Sequence, residues 1–383
     1  MGLASFVFQS LHSMKKSLVL NLLIGVLCLC QFAIAAEDQW QGVERIVAVG
    51  DIHGDYDNYI QVLRDAGLVN RRGNWIAGES HFVQLGDLPD RGPDTDKIIA
   101  HMKKLEIQAA ADGGRVHALI GNHEAMNIYG DLRYVDPGEY EALKSRDARP
   151  LRNAMYALHL QQLQAANPEF KVEEDYREKF DAQYPLGFVE HRRNWDVRHG
   201  EFGSWVAEHN AVIKINRTLF LHGGISPQYV QMSLAEINEQ VRSELAGNLL
   251  EDKLGASEAE DGPLWYRGLA NNDELLEKAH LEGVLVKYDV DHIVIGHTPG
   301  LGTIVPRFGG KVLVIDSGIS KSYGGHLASL LIENGKLKTL QEGKEIALPE
   351  ENAGLFAYYQ SILALGSNTV ALQRLVDSMQ QEP

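Results

Sequence analysis

The sequence is almost free of cysteine. Only Cys28 and Cys30 occur among its 383 residues, and both lie in an N-terminal segment that we expect to be removed. A mature chain without thiols suits an oxidising compartment, where a stray thiol is a liability. The lack of cysteine also excludes a thiolate nucleophile, so any catalysis in the mature protein must use other groups.

Positive charge is also scarce. The chain has 36 Lys and Arg against 52 Asp and Glu, giving a net charge of −16. A chain this acidic is a poor match for the phosphate backbone of nucleic acids, so we expect no nucleic-acid partner. Clustered carboxylates would instead suit divalent cations. The sequence lacks internal repeats, and its 44% hydrophobic content is enough for one large domain or two.

A short basic stretch followed by an uncharged, mostly apolar run lies near the N-terminus. There, residues 14–16 (MKK) precede an uncharged run over 17–32, and residues 33–35 (AIA) match a small-x-small cleavage pattern. This pattern is typical of a secretory signal peptide, here residues 1–35. The alternative is a retained membrane anchor, but the run is shorter than the roughly twenty residues that a spanning helix needs. We therefore expect a periplasmic or secreted protein without a stable membrane span after cleavage.

Short apolar strands that end in polar, Gly-rich corners recur in the first half of the chain. The pairs of strand and corner are RIVAV-GDIHG (45–54), FVQL-GDLPDRG (82–92) and VHALI-GNHE (116–124). Helical patterns follow at about 56–66 and 95–105. Strands that alternate with helices indicate an α/β core, and ligands bind such sheets beyond the carboxyl ends of the strands.

The second half of the chain is richer in strands. Short apolar segments lie at 211–215, 218–221, 292–295, 312–315 and 327–332. Those at 218–221 and 292–295 lead into the histidine corners LHGG and GHT. We expect an α/β protein of the four-layer α+β type, with two mixed β-sheets packed face to face and flanked by helices. Residues 36–345 would form one catalytic domain with a helical insertion at 129–198 over the site, and 346–383 a C-terminal helical extension.

The polar corners together offer carboxylates, imidazoles and one amide. Their candidate ligands are Asp51, His53, Asp87, Asn122, His123, His222 and His297. This mixture suits Mn, Fe or Zn, whereas it is too rich in nitrogen for calcium and lacks the thiolates of a structural zinc site. Two adjacent metals need a bridging carboxylate, and Asp87 is the central candidate. Each corner alone has a plain structural alternative, such as a turn or an Asn122 helix cap. Five corners at strand ends in fixed order favour a functional site.

The motifs GDIHG, GDLPDRG, GNHE, LHGG and GHT resemble the five signatures of the calcineurin-like metallophosphoesterases, specifically the PPP-type phosphatases. The resemblance extends from about Val43 to Gly335. Two longer segments, GNHEAMNIYGDLRYV (121–135) and GPLWYRG (262–268), are similar to a narrower group, the Shewanella-like protein phosphatases.

The resemblance implies two metal ions and a bridging hydroxide that attacks phosphorus in line. The implied ligands are Asp51, His53 and Asp87 for the first ion, and Asp87, Asn122, His222 and His297 for the second.

The resemblance also implies the groups that act on the substrate. His123 would donate a proton to the leaving oxygen, and Asp90 would orient its imidazole. Arg91 and Arg267 would bind the phosphate. The turn that carries Asp87 and Asp90 would thus direct two carboxylates to two different tasks.

The implied function is hydrolysis of phosphotyrosine or phosphoserine/threonine in proteins. The alternatives are a periplasmic small-molecule phosphatase or nucleotide hydrolase, and a non-catalytic binding module. Two features depart from the family pattern: Pro89 replaces a larger apolar residue, and IDSGISKSYGG (315–325) stands where eukaryotic relatives carry SAPNY. Tyr323 within this segment would reach the site or pack beside it.

Overall fold

The computed structural model describes residues 37–248, 255–366 and 369–381. The expected signal peptide, residues 1–35 with both cysteines, lies outside the described residues. The strands in chain order are β1 (Gln39–Trp40), β2 (Arg45–Val49), β3 (His81–Gln84), β4 (Arg115–Ala118), β5 (Val212–Ile215), β6 (Thr218–Leu221), β7 (His292–Ile295), β8 (Val305–Arg307), β9 (Val312–Val314), β10 (Ala328–Glu333), β11 (Lys336–Gln341) and β12 (Lys344–Ala347).

The strands form two six-stranded mixed sheets. The first has the order β12-β11-β10-β2-β3-β4, and the second has the order β1-β5-β6-β7-β9-β8. Strands β2, β3 and β4 are parallel, as are β6, β7 and β9. The carboxyl ends of each parallel set therefore meet at one edge of their sheet.

Alternating side chains divide the core into two layers. Ile46 and Ala48 of β2 belong to a cluster with Phe220 and Val294 of the second sheet, so this cluster fills the space between the sheets. Val47 of β2 belongs instead to the cluster that includes the flanking helices. Because side chains alternate along a strand, each buried strand contributes to both layers. The predicted fold class is confirmed.

Helices flank the sheets and fill the long connections. They are α1 (Tyr56–Asp65), α2 (Thr95–Ala111), α3 (Asn122–Tyr129), α4 (Pro137–Leu143), α5 (Ala148–Ala166), α6 (Tyr176–Gln183), α7 (Phe188–Asn194), α8 (Glu201–Ala207), α9 (Leu234–Leu245), α10 (Gly268–Asn271), α11 (Glu274–Tyr288), α12 (Leu355–Ala364) and α13 (Val370–Gln381). The region 129–198 is mostly helical, as predicted. Among the described helices, none has both the length and the apolar character needed to cross a bilayer.

Candidate active site

The candidate site lies where tight turns leave β2, β3 and β7. The amides of Ile52 and His53 donate to the carbonyl of Asp87, at 3.0 Å each, so the first two turns are bonded to each other. Several site residues have left-handed backbone conformations that non-glycine residues rarely adopt. They are His53, Asp87, Asp90, Arg91 and His297, with φ between 48° and 70°. Such conformations concentrate at functional sites where surrounding contacts hold them.

Asp87 is the centre of the arrangement. Its Oδ2 lies 3.3 Å from His222 Nε2, 3.8 Å from His53 Nε2 and 3.8 Å from His123 Nε2. Two groups of buried side chains have donor atoms close enough to share a metal ion, namely His53-Asp87-His123 and Asp87-His222-His297. Asp87 belongs to both groups, which is the position that a bridging carboxylate requires.

The histidines present one ring nitrogen to the site and use the other elsewhere. His222 Nδ1 lies 2.8 Å from the carbonyl of Leu85, and His53 Nδ1 lies 3.2 Å from the carbonyl of Pro89. Metal-binding histidines commonly have their second nitrogen fixed in this way. His222 Nε2 and the amide oxygen of Asn122, 2.8 Å apart, point into the same space. The donor set therefore fits borderline divalent metals.

Asp51 and Asp316 form a pair of buried carboxyls on one wall. Asp51 Oδ1 accepts from the amide of His297 at 3.1 Å, and Asp316 is in hydrogen-bond contact with Asp51. Burial, with Asp316 and Asp87 nearby, raises the pKa of Asp51 well above its usual range. Burial also raises the pKa of Asp316 to about 6. A cation would relieve this accumulation of negative charge. Sequence reasoning missed Asp316, because the corner IDSG (315–318) contains no histidine and is not one of the five motifs.

His123 and Asp90 form a second unit beside the metal-ligand groups. His123 Nδ1 lies 2.5 Å from Asp90 Oδ2, and Asp90 Oδ1 accepts from Asn127 Nδ2 at 3.0 Å. Asp90 is fully buried behind the imidazole. This leaves His123 Nε2 as the ring nitrogen that faces the cleft.

The electrostatics separate His123 from the other imidazoles. Burial lowers the pKa of His53 to about 3 and that of His297 well below its ordinary value. These two rings are therefore neutral and have a lone pair for a metal. Burial also opposes the charged form of His123, but Asp87 and Asp90 outweigh it and raise the pKa of His123. His123 is thus suited to carry a proton.

Glu124 holds the turn that carries Asp87. Its carboxylate accepts from the amides of Asp87 at 2.9 Å, Leu88 at 2.7 Å and Gly121 at 2.9 Å. Gly121, and not Asn122, is the N-cap of α3. The helix-cap alternative for Asn122 is therefore wrong by one residue, and its side chain remains available to the site.

The cleft above these groups has a volume of about 230 Å³. Its lining includes both predicted phosphate-binding arginines and three aromatic rings, Tyr134, Trp265 and Tyr323. The Arg91 guanidinium lies 3.9 Å from the centre of the Tyr134 ring. Arg267 Nη1 donates to the carbonyl of His297 at 2.6 Å. Both arginines are thus aimed at the cleft by specific contacts.

The structure brings every predicted site residue to this one location. The residues that line the cleft directly are Asp51, His53, Asp87, Arg91, Asn122, His123, Arg267 and His297, and Asp90 and His222 lie directly behind them. Tyr323 combines the two roles considered for it, since it lines the cleft and its ring lies 5.0 Å from that of His53. Tyr134 lies away from the predicted strand ends, so the sequence contained no signal for it. Asp316 directly follows the strand predicted at 312–315, and that position was the signal that could have identified it.

Comparison with known proteins places this geometry in a family. The calcineurin-like phosphoesterase pattern matches residues 44–301. An uncharacterized protein of Schizosaccharomyces pombe is 34% identical over 308 residues, which cover 78% of this chain and 80% of that protein. Shewanella-like protein phosphatase 1 of Plasmodium berghei is 28% identical over 313 residues, covering 79% and 75%.

A solved structure is similar as well. The cold-active protein-tyrosine phosphatase of a psychrophilic Shewanella species superposes with a TM-score of 0.63 at 30% sequence identity, and the match covers 81% of this chain and 82% of that one. The chain belongs to the calcineurin-like phosphoesterase family and resembles its Shewanella-like protein phosphatases.

Proposed function

We propose that the protein is a dinuclear metal phosphatase that hydrolyses phosphate monoesters on proteins. One observation carries this proposal: Asp87 is shared by two metal-ligand groups in a cleft that also contains the His123–Asp90 pair. Family membership supports phosphoester hydrolysis as the reaction.

The chain offers a ligand set for each of two ions. The first set is Asp51, His53 and Asp87, and the second is Asp87, Asn122, His222 and His297. His123 is near the first set, but its short bond to Asp90 and its raised pKa favour a proton donor over a ligand. When bound, the ions would supply Lewis acidity and would lower the pKa of a bound water. Mn, Fe and Zn all suit these ligands.

The remaining groups bind the substrate and protonate the leaving group. Arg91 and Arg267 bind the non-bridging oxygens of the phosphoryl group through their guanidinium N–H groups. As the bond between phosphorus and the ester oxygen breaks, the Nε2 proton of His123 passes to that oxygen. Asp90 stabilises the imidazolium form beforehand through Nδ1. Water supplies the oxygen that replaces the leaving group.

Phosphotyrosine is the side chain that the cleft favours. The aromatic rings of Tyr134, Trp265 and Tyr323 line its walls, and such rings suit a phenyl group better than an aliphatic one. The solved structure named as a protein-tyrosine phosphatase supports the same side chain, and the relative named as a protein phosphatase supports a protein substrate. Hydrolysis would be direct, because both cysteines precede residue 36.

We further propose that the protein works in the periplasm or is secreted. The MKK segment, the uncharged run and the AIA site support this localisation. Fractionation of cells that produce the full chain, with N-terminal sequencing of the product, tests it. A product that retains residues 1–35 in the membrane fraction would favour the anchor instead.

The function is tested on protein beginning at about Ala36, with bound metals counted by elemental analysis. We expect about two ions per chain and turnover of a phosphotyrosine peptide that chelators abolish and added Mn restores. Preference for nucleotides or small phosphate esters would keep the mechanism and replace the substrate class. A chain that binds no metal and turns over none of these esters would support the binding module.

Asp87→Asn tests the shared ligand. The amide keeps the size of the side chain but loses the charge that two cations share, so we expect bound metal to fall by about half or more and turnover to fall at least 100-fold. Asp112→Asn, at the C-terminal end of α2, is the control. Unchanged metal content in Asp87→Asn would exclude Asp87 as the bridge.

A further inference from the structure

We propose that Glu139, on helix α4 of the insertion, is a positioning residue that holds the backbone of Asp90 and thereby the His123–Asp90 proton donor. The proposal rests on the function proposed above, because it concerns the protonation of the leaving oxygen. It assigns the insertion a direct part in the reaction, beyond covering the site.

The first reason is the backbone of the turn. Asp90 and Arg91 are consecutive non-glycine residues with φ of 70° and 67°. Such residues take up this conformation only where surrounding contacts hold it. The side chains of both residues depend on it, since one bonds His123 and the other lines the cleft.

The second reason is that the insertion holds both amides of this pair. The amide of Asp90 donates to Glu139 Oε1 at 2.8 Å, and that of Arg91 donates to the carbonyl of Tyr134 at 3.0 Å. The Tyr134 ring then lies 3.9 Å from the Arg91 guanidinium and 5.2 Å from the His123 ring. The segment from Tyr134 to Glu139 thus contacts the turn through backbone and side chain alike.

The third reason is the environment of Glu139 itself. The side chain is buried, with 3% exposure, and its Oε2 lies 3.7 Å from Nε2 of His191 on α7. Burial and then the charge of Asp90 raise the pKa of Glu139 well above its usual range. A buried carboxyl beside a second carboxylate is unfavourable for stability alone. Its carboxyl contacts the Thr95 side chain at the start of α2 and accepts from the Asp90 amide, so it links the catalytic turn to its surroundings.

Glu139 and Asn127 hold opposite ends of Asp90. Asn127 Nδ2 holds the carboxylate at Oδ1, and Glu139 holds the amide at the other end of the residue. Loss of the Glu139 acceptor would leave a buried N–H without a partner, and the turn would relax toward a conformation that satisfies it. The Asp90 carboxylate would then move relative to His123 Nδ1.

The test compares Glu139→Gln with Glu139→Leu in the metal-loaded enzyme. Glutamine keeps an acceptor oxygen at the same place, whereas leucine removes it and fills a similar volume. Each variant is assayed with a phosphotyrosine peptide, whose leaving phenolate has a pKa near 10, and with 2,4-dinitrophenyl phosphate, whose leaving group departs without a proton. Glu190→Leu is the matched control, because Glu190 is a buried insertion carboxylate that bonds Ser145 and not the catalytic turn.

We expect kcat on the phosphotyrosine peptide to fall about tenfold or more in Glu139→Leu, a part of the 10²–10⁴ that a general acid contributes. On dinitrophenyl phosphate we expect less than a threefold change, and Glu139→Gln should stay near wild type on both esters. Equal losses on both esters, equal losses in the two Glu139 variants, or the same selective loss in Glu190→Leu would overturn the proposal.

A spectroscopic readout separates this proposal from the proposed function. The Nδ1 proton between His123 and Asp90 should give a low-field proton resonance in wild type and in Glu139→Gln, and this resonance should shift upfield or broaden away in Glu139→Leu. An inactive wild type that shows this pattern would refute the phosphatase reaction and keep the positioning role. An active wild type whose resonance is the same in all variants would keep the reaction and refute the role of Glu139.

Discussion

At the scale of the residue, two carboxylates that lie three positions apart in one turn contact different partners. Asp87 lies near Nε2 of His222 and Nε2 of His53, while Asp90 bonds Nδ1 of His123, on the side of the ring away from the cleft. Both have left-handed backbones, with φ of 59° and 70°. In an extended segment, residues three apart would point to opposite faces. The tight turn therefore brings both side chains to the same cluster of histidines.

His123→Ala distinguishes a proton donor from a metal ligand. We expect about 10²–10⁴-fold slower turnover of esters with poor leaving groups, with bound metal nearly unchanged and the fold intact. The measurement pairs kcat on a phosphotyrosine peptide with elemental analysis. Because His123 Nε2 is only 3.8 Å from Asp87 Oδ2, a fall of one metal per chain would instead identify it as a ligand.

Arg91→Lys tests the geometry of phosphate binding. Lysine keeps the charge but loses the planar fork that stacks 3.9 Å from the Tyr134 ring. We expect KM for the phosphopeptide to rise about tenfold, which corresponds to roughly 1.4 kcal/mol. Arg133→Lys is the control, because Arg133 also lies near that ring, at 5.6 Å, but is not part of the cleft lining. Equal KM values in wild type and Arg91→Lys would remove Arg91 from the binding site.

Sequence alone predicted most of the site residues at strand ends and missed those that reach the site from elsewhere. Asp51, Asp87 and His222 directly follow apolar strands, so topology brings them together. Glu139 lies far along the chain from that pattern, and its contact with Asp90 depends on how the insertion folds back. No local periodicity contains that information, which is why tertiary contacts of loops escape sequence analysis.

At the scale of the element, the backbones of the turns after β2 and β3 approach each other closely at glycine residues. A Cβ on Gly54 would lie 2.2 Å from the carbonyl oxygen of Gly92, and Gly54 has φ of 65°. The amide of Gly54 also donates to the carbonyl of Leu88 at 2.8 Å. The two turns that carry the metal-ligand candidates therefore approach so closely that a side chain does not fit.

A left-handed backbone at an alanine costs about 1–2 kcal/mol by itself. Gly54→Ala should lower the free energy of unfolding by more than this amount, and it should also reduce the bound metal. Urea unfolding monitored by circular dichroism measures the first effect. Gly78→Ala supplies the reference, since Gly78 has φ of 56° with no atom within 4 Å of the added Cβ. If the two variants lose the same free energy of unfolding, the close approach contributes nothing.

The strands that sequence predicted best are the buried apolar ones. The bounds of β2, β6 and β7 match their predicted ranges, and β3, β4, β5, β9 and β10 differ by one or two residues. The unpredicted strands are β1, β8, β11 and β12, which are short, at sheet edges or rich in charged residues. Edge strands have one unpaired side and need no apolar alternation, so their sequences resemble loops.

The ends of helices are also predicted less well from the sequence than their centres. The predicted helix at 95–105 continues to Ala111 as α2, because the residues after Leu105 are mainly good helix formers. The two C-terminal helices form as predicted, and Ile362 and Leu372 are fully buried in the cluster between the sheets. Amphipathic spacing identified these helices, but not which surface they cover.

At the scale of the whole molecule, the fold buries several titratable groups away from the site. Their burial should make the free energy of unfolding depend on pH. His117 of β4 lies beside His81 of β3, with 3.0 Å between Nε2 and Nδ1, and the Trp40 ring is 4.4 Å from it. Burial, then His81 and Arg115, lowers the pKa of His117 well below its ordinary value. His117 is therefore neutral in the folded chain at pH values where the unfolded chain is protonated.

The sign of the pH dependence follows from this difference. Below pH 6.5, the ordinary pKa of histidine, the unfolded state binds a proton at residue 117 that the folded state rejects. The free energy of unfolding therefore falls as the pH decreases, by at most about 1.4 kcal/mol per pH unit for this group.

His117→Gln, which does not titrate, should unfold in urea with a shallower pH slope than wild type between pH 6.5 and 5. The difference between the two proteins cancels the contribution of metal release. His199→Gln, at an exposed position, should keep the wild-type slope. If His117→Gln also keeps that slope, His117 accepts a proton in the folded state, and the loss of stability in acid must come from other groups.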